Sequence, residues 1–286
     1  MTHPTVGAYG LQLHESCGSR ILTEQARLRL LPADPVWPRW EVRRCDPHDD
    51  DPEGEEWGPD RARLKAHPRG CIEMDRVEQR TTFRLPDTFA SEAFVHPYLA
   101  STAVVAGHWL GRSTFHAGAF AVEGRAWGVL GDREMGKSSL LMSLHMLGVP
   151  IVSDDVVAFL GHRAYSGPRC LDLRRSAAER FGAGEPLGVV GQRERWRVAL
   201  PAGPGDWEFA GWVLLAWSDS VAMEPLDTRQ RLSALAANRG VVAPGATPPG
   251  LLDAVGLPMV RFARPRDWSQ LEPGVLQLLD TLSSPR

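Results

Sequence analysis

The sequence predicts an α/β fold with a smaller β-rich N-terminal region, and three observations carry that expectation. "AWGVL" (126–130) reads as a strand, "KSSLLMSLHMLG" (137–148) as an amphipathic helix closed by Gly148, and "VPIVS" (149–153) as a buried strand beside it. A glycine-bracketed loop joins the first strand to the helix, so the local order is strand, loop, helix, strand. Upstream, from Val6 to Arg44, stretches such as "YGLQLHES" and "ARLRLLP" alternate apolar and polar residues, which favours strands over helices.

The remaining elements follow in order. Asp46 to Asp60, "DPHDDDPEGEEWGPD", concentrates Pro, Gly and acids and reads as a solvated, mobile loop, the acidic loop 46–60 of an accessory region spanning 1–90. "SEAFVHPYLASTAVVAGHWLGR" has helical periodicity after a Ser91 cap and opens a second unit, 91–286. "TFHAGAFAVEGRAWGVLG" reads as a β-hairpin turned at Glu123 and Gly124. Farther on, "EFAGWVLLAWSDS" contains a buried strand, "TRQRLSALAANRG" is a helix ending in a Gly cap, "VVAPGATPPG" is a loop, and "EPGVLQLLDTL" is a short last helix.

Bulk properties narrow the function. With 286 residues, 43% hydrophobic content and a formal net charge of −3, the chain can bury a full core. Acids and bases nearly cancel, which argues against nucleic acid as a partner. The start, MTHPTVGAYG, lacks the features of a signal peptide, and no apolar run reaches the roughly 18 residues that span a bilayer, so a cytoplasmic protein without a membrane partner is expected. Cys17, Cys45, Cys71 and Cys170 lack metal-ligand spacing and read as core thiols, and the ten tryptophans likewise read as core. Of the 32 basic residues only Lys65 and Lys137 are lysines.

One of those two lysines sits where a phosphate-binding loop needs it. Gly131, Asp132, Arg133, Glu134, Met135, Gly136, Lys137 and Ser138 fit G-x-x-x-x-G-K-[ST], and Ser139 follows. In such a loop backbone N–H groups curl around phosphate oxygens at the positive end of a helix, the lysine reaches the β- and γ-phosphates, and the hydroxyl at the Ser138 position binds Mg²⁺. Average residue frequencies produce the pattern by accident in roughly one chain of this length in a hundred. Asp154 and Asp155 end the next strand, where one carboxylate holds Mg²⁺ and the other accepts a proton from an attacking hydroxyl. Downstream, "GPRCLDLRR" and "GQRERWRVALP" gather arginines that can neutralise charge on a transferred phosphoryl group, with Arg195 and Arg197 the candidates.

These residues resemble the C-terminal catalytic domain of HPr kinase/phosphorylase and the HPr-kinase-like proteins of peptide-modifying gene clusters, including lasso-peptide kinases. The shared features are His116-Ala117, the loop Gly131 to Ser138, and Asp154-Asp155, with 21 residues from His116 to Lys137 and 18 from Lys137 to Asp155. That spacing is shorter than in Ras-type or ABC-type ATPases. The match spans Ser113 to Leu173; Arg133 and Glu134 depart from it, standing where the family has Ser and Gly.

The resemblance implies a P-loop kinase core of the HPr kinase / PEP carboxykinase-like type, using ATP and Mg²⁺ to phosphorylate a serine hydroxyl on a peptide or small protein in peptide natural-product (RiPP) biosynthesis. By the same resemblance Asp155 is the base, Asp154 helps to bind metal, and His116 lies near the γ-phosphate and the aspartates. A homo-oligomer stays open as an expectation. A small hydroxylated metabolite as acceptor, and a nucleotide-binding regulator or scaffold with reduced chemistry, are the alternatives.

Overall fold

The computed structural model describes residues 5–16, 18–47, 54–67, 69–86, 93–240 and 250–284. Within them the chain is a mixed α/β protein with three sheets. The expected boundary near residue 90, the Ser91 cap, Cys17, residues 48–53 of the acidic loop and residues 241–249 of the "VVAPGATPPG" loop lie outside the described residues.

The first sheet has eight strands: β1 (Val6–Ala8), β2 (Leu11–Glu15), β3 (Leu31–Pro32), β4 (Arg39–Cys45), β5 (Glu56–Trp57), β6 (Arg61–Lys65), β7 (Cys71–Asp75) and β8 (Arg80–Arg84). They are arranged β3-β1-β2-β4-β8-β7-β6-β5. The strand reading of the N-terminal stretches needs one correction, because Glu24–Leu28 forms a helical turn, α1. Thr23 caps it through its hydroxyl, accepting from Ala26 N at 3.2 Å, and that local cap overrides the period-2 pattern. The tail of the acidic block is also ordered, since Glu56 and Trp57 pair antiparallel with Arg63 and Ala62.

A wide helical turn, Phe94–Tyr98, leads into α2 (Leu99–Trp109). The helical periodicity expected from residue 91 is broken at His96, which is extended (φ −156°, ψ 128°) as residues before proline tend to be. Helix α2 packs into the same core as the first sheet, with Leu99, Val105 and Ala106 buried beside Trp40, Val42 and Phe83.

The second sheet is built from β9 (Ser113–Phe115), β10 (Gly118–Val122), β11 (Arg125–Leu130), β12 (Ile151–Ser153), β13 (Val157–Leu160), β14 (Arg163–Tyr165), β18 (Asp206–Trp217), β19 (Ala222–Pro225) and β20 (Met259–Arg264). β10 and β11 form the expected hairpin, Val122 opposite Arg125, with Glu123 (φ 50°) and Gly124 (φ 77°) both left-handed as a type I′ turn requires. The long β18 runs parallel to β11 and β20. β12 lies at the edge against β10, antiparallel, so the sheet is mixed.

Alternate residues face opposite sides, as a strand period of two requires. Phe120, Val213 and Phe262 pack on α3 (Lys137–Met146) and α7 (Leu271–Ser283). Ala119, Trp212 and Met259 pack on the other face with α5 (Thr228–Ala237) and α6 (Leu251–Gly256). Helix α5 ends at Asn238 rather than at a glycine, and α7 is longer than expected at 13 residues.

The third sheet, β15-β17-β16, holds β15 (Cys170–Leu173), β16 (Glu185–Val190) and β17 (Arg193–Ala199), with α4 (Arg175–Phe181) between β15 and β16. Cys71 and Cys170 are buried and Cys45 is half-buried.

Arg112 ties the two larger sheets together. Its guanidinium donates to Tyr9 O (2.7 Å) and Gly10 O (2.9 Å) at the β1–β2 turn and stacks on Tyr165 of β14, 4.3 Å from the ring centre. Replacing it by Met leaves two buried carbonyls without donors. Urea unfolding of Arg112→Met is therefore expected to show a loss of about 3 kcal/mol.

Candidate active site

Strand β11 delivers the chain into the glycine-bracketed loop. Gly136 takes a left-handed conformation (φ 79°) at the N-cap of α3, which turns the loop back over the helix start. Lys137 Nζ folds onto the loop, donating to Gly131 O at 2.6 Å and lying 3.4 Å from Asp132 O. Burial lowers its pKa although the charges of Asp155 and Asp154 oppose that. Met135 turns its side chain toward the core below.

The Arg133–Glu134 departure is accommodated locally. Glu134 adopts φ 72°, a conformation a glycine would take freely and which costs another residue about 1 kcal/mol. Its carboxylate points outward to Arg174 Nη1 at 3.1 Å. Arg174 thus supplies the counter-charge.

A cleft of about 750 Å³ opens over the loop. Asp132, Arg133, Glu134, Gly136, Lys137, Ser138, Ser139, His116, Asp155 and Arg195 line it, so most of the residues singled out from sequence converge there. Two do not. Asp154 is 5% exposed and its Oδ2 accepts from Asp172 N at 3.1 Å, away from the cleft. Asp155 has φ 66°, and this left-handed turn sends the two neighbouring carboxylates in different directions. Arg197 is 3% exposed and makes a bidentate pair with Asp172 (2.7 and 2.9 Å), while its Nη2 donates to His96 O at 2.9 Å. It props the site from behind.

The electrostatics follow from these positions. Burial and then the Asp155 charge push the Asp154 carboxyl up to about 7. Burial also acts to raise Asp155, but the hydrogen bond and charge of His96, then the charges of His116 and Arg195, outweigh it and hold that carboxyl well below the usual range. His96 Nε2 stands 3.2 Å from Asp155 Oδ2 and 3.9 Å from Asp172 Oδ2. Burial alone would lower the imidazole, yet the two carboxylates raise it. His116 Nδ1 is 3.0 Å from Asp155 O, and burial lowers its pKa, which favours the neutral ring.

His96 and Asp172 went unnoticed in the sequence, although Asp172 is a lone acid in the apolar run "CLDL" and His96 precedes a proline inside a helical pattern. Lys65 also lines the cleft, so both lysines of the chain meet there. Trp217 and Trp268 line it too, unlike the expected core role of tryptophan. Among the described residues no group of three or more His, Cys, Asp or Glu is placed to hold a metal ion.

No protein-family model and no curated protein matches the chain. Among solved structures, the Hpr(Ser) kinase/phosphatase from Coxiella burnetii aligns over 59% of this chain and 96% of that chain, with 16% identity and a TM-score of 0.30. No helix among the described residues is long and apolar enough to cross a membrane.

Two outcomes are expected. Asp172→Asn removes the counter-charge of a buried guanidinium, and denaturant unfolding should show a loss of about 3–5 kcal/mol. The His96 imidazole, raised in the folded state, stabilises it fully below its unfolded pKa of about 6.5, and that contribution fades as pH rises through the raised value. With chelator present, the stability gap between the unaltered protein and His96→Gln should be largest at acidic pH and shrink toward alkaline pH. A gap that widens with pH would contradict the raised imidazole.

Proposed function

We propose that the protein is an ATP- and Mg²⁺-dependent kinase that transfers the γ-phosphoryl group to a hydroxyl. The observation that carries this reading is the meeting of Lys137, folded over a glycine-bracketed loop at a helix N-terminus, with the ionised Asp155 in one cationic cleft. The loop and helix start supply N–H groups and positive potential for phosphates, and the ionised carboxylate supplies an acceptor for a hydroxyl proton.

The residues fit Mg²⁺ in the way this ion is usually held, by few protein oxygens together with nucleotide phosphates. Ser138, in the cleft, would hold it. When bound, the ion would neutralise charge on the phosphate oxygens.

The acceptor oxygen attacks the γ-phosphorus, the bond from that phosphorus to the ADP oxygen breaks, and the acceptor's proton passes to Asp155. A loose transition state needs little deprotonation before attack, so a weakly basic carboxylate suits the task as an orienting acceptor. Arg195 and Arg193, both lining the cleft, face the place where charge builds on the transferred group. His116, held by Asp155 O, borders the same space. The acceptor we take to be a serine hydroxyl of a peptide or small protein, supported by the motif resemblance.

Incubation with γ-labelled ATP, Mg²⁺ and serine-bearing peptides should label the peptide. Asp155→Asn should keep ATP binding and lower transfer by about 10²–10⁴-fold, and Lys137→Ala should lose both. Undiminished transfer by Asp155→Asn would remove the carboxylate from the chemistry.

A further inference from the structure

The cleft contains a buried cation that the proposed transfer does not use. Arg264 closes β20 on its inward face, in step with Val260 and Phe262, and is 4% exposed. An arginine at such a position is unusual, because a desolvated charge is costly unless paired. No carboxylate lies within ion-pair distance of it among the described residues. Its Nε is buried without a hydrogen-bond partner. Burial brings its pKa down to about 10.

What holds Arg264 is the nucleotide loop itself. Nη2 donates to Met135 O at 3.2 Å, and the guanidinium stacks on Trp217, 4.4 Å from the ring centre. A Cβ at Gly136 would stand 2.6 Å from Nη2, so the loop's second glycine makes room for this arginine as well as for the turn. Arg264 lines the cleft with Ser139, Trp217 and Trp268, at the carboxyl ends of β18 and β20 beside the start of α3. Ligands of open α/β sheets gather at such strand ends.

We infer that Arg264 is a further nucleotide-binding residue, a guanidinium aimed at a phosphate oxygen of the nucleotide and pre-set by Trp217 and Met135. The inference rests on the proposed nucleotide site. A phosphate is the natural counter-ion, because it matches the planar donor fork of arginine and relieves the unpaired charge. The stacking keeps the side chain in one orientation before the ligand arrives, so little rotamer entropy is lost on binding. The empty protein carries the cost of the buried charge, and the bound form recovers it.

The test uses ADP as probe, by calorimetric titration with Mg²⁺, on the full chain and on Arg264→Met and Arg264→Lys. Arg264→Met should weaken ADP binding by about tenfold or more while its ligand-free melting temperature holds or rises. Arg264→Lys, which keeps the charge and a donor for the Met135 carbonyl, should recover a large part of the lost affinity. Unchanged ADP affinity in Arg264→Met would overturn the assignment. Equal losses in both variants with lower melting temperatures would place Arg264 in the scaffold and overturn it too. An unaltered protein that binds no ADP would overturn the nucleotide reading itself, whereas ADP binding that ignores Arg264 would remove this inference alone.

Discussion

The Asp172 carboxylate is the fixed point on which the site depends. It sits in the middle of β15, 1% exposed at its side chain, and receives Arg197 in a bidentate pair, Arg195 at 3.3 Å, and the edge of His96. Those partners come from β17 and from the turn before α2, so one buried anion registers three segments distant in sequence. Its backbone N–H holds Asp154, and the same His96 sets the charge of Asp155. A buried ionic cluster of this kind adds less stability than apolar packing would, but it fixes geometry, because any slip leaves a charge without its partner.

The cleft above that cluster is strongly cationic. Lys65, Lys137, Arg133, Arg174, Arg193, Arg195, Arg264 and Arg266 line it against Asp132, Glu134, Asp155 and Asp267. Burial lowers the pKa of Arg193, and the neighbouring charges of Arg133, Arg174 and Arg195 lower it further. The chain as a whole is slightly acidic, so this positive charge is local to the cleft.

The legible parts of the sequence were those governed by short-range rules. The 118–130 hairpin follows from a two-residue Glu-Gly turn between apolar runs, and the end of α3 from Gly148, left-handed (φ 80°) just past it, whereas the expected amphipathic stripe is replaced by an unbroken buried run from Leu140 to Leu144. The cleft-facing places of Lys137 and Asp155 were likewise visible as loop and acidic pair. What escaped depended on tertiary pairing. Asp172 and His96 acquire meaning only once β15 and the turn before α2 meet, and Arg264 only once β20 lies next to the loop. The different surroundings of Asp154 and Asp155, one buried and one lining the cleft, follow a left-handed Asp155, which a two-letter motif does not encode. The helical turn at Glu24–Leu28 hid within an alternating pattern because its cap, Thr23, outweighs the period of the side chains that follow.

Amide hydrogen exchange with and without Mg²⁺–ADP decides whether the proposed nucleotide sits between the loop and the Asp155 turn. ADP should slow exchange in the peptides covering residues 131–139 and 153–156, with the β10–β11 hairpin turn at Glu123–Gly124 unchanged. ADP that leaves exchange across residues 131–139 unaltered would contradict that placement.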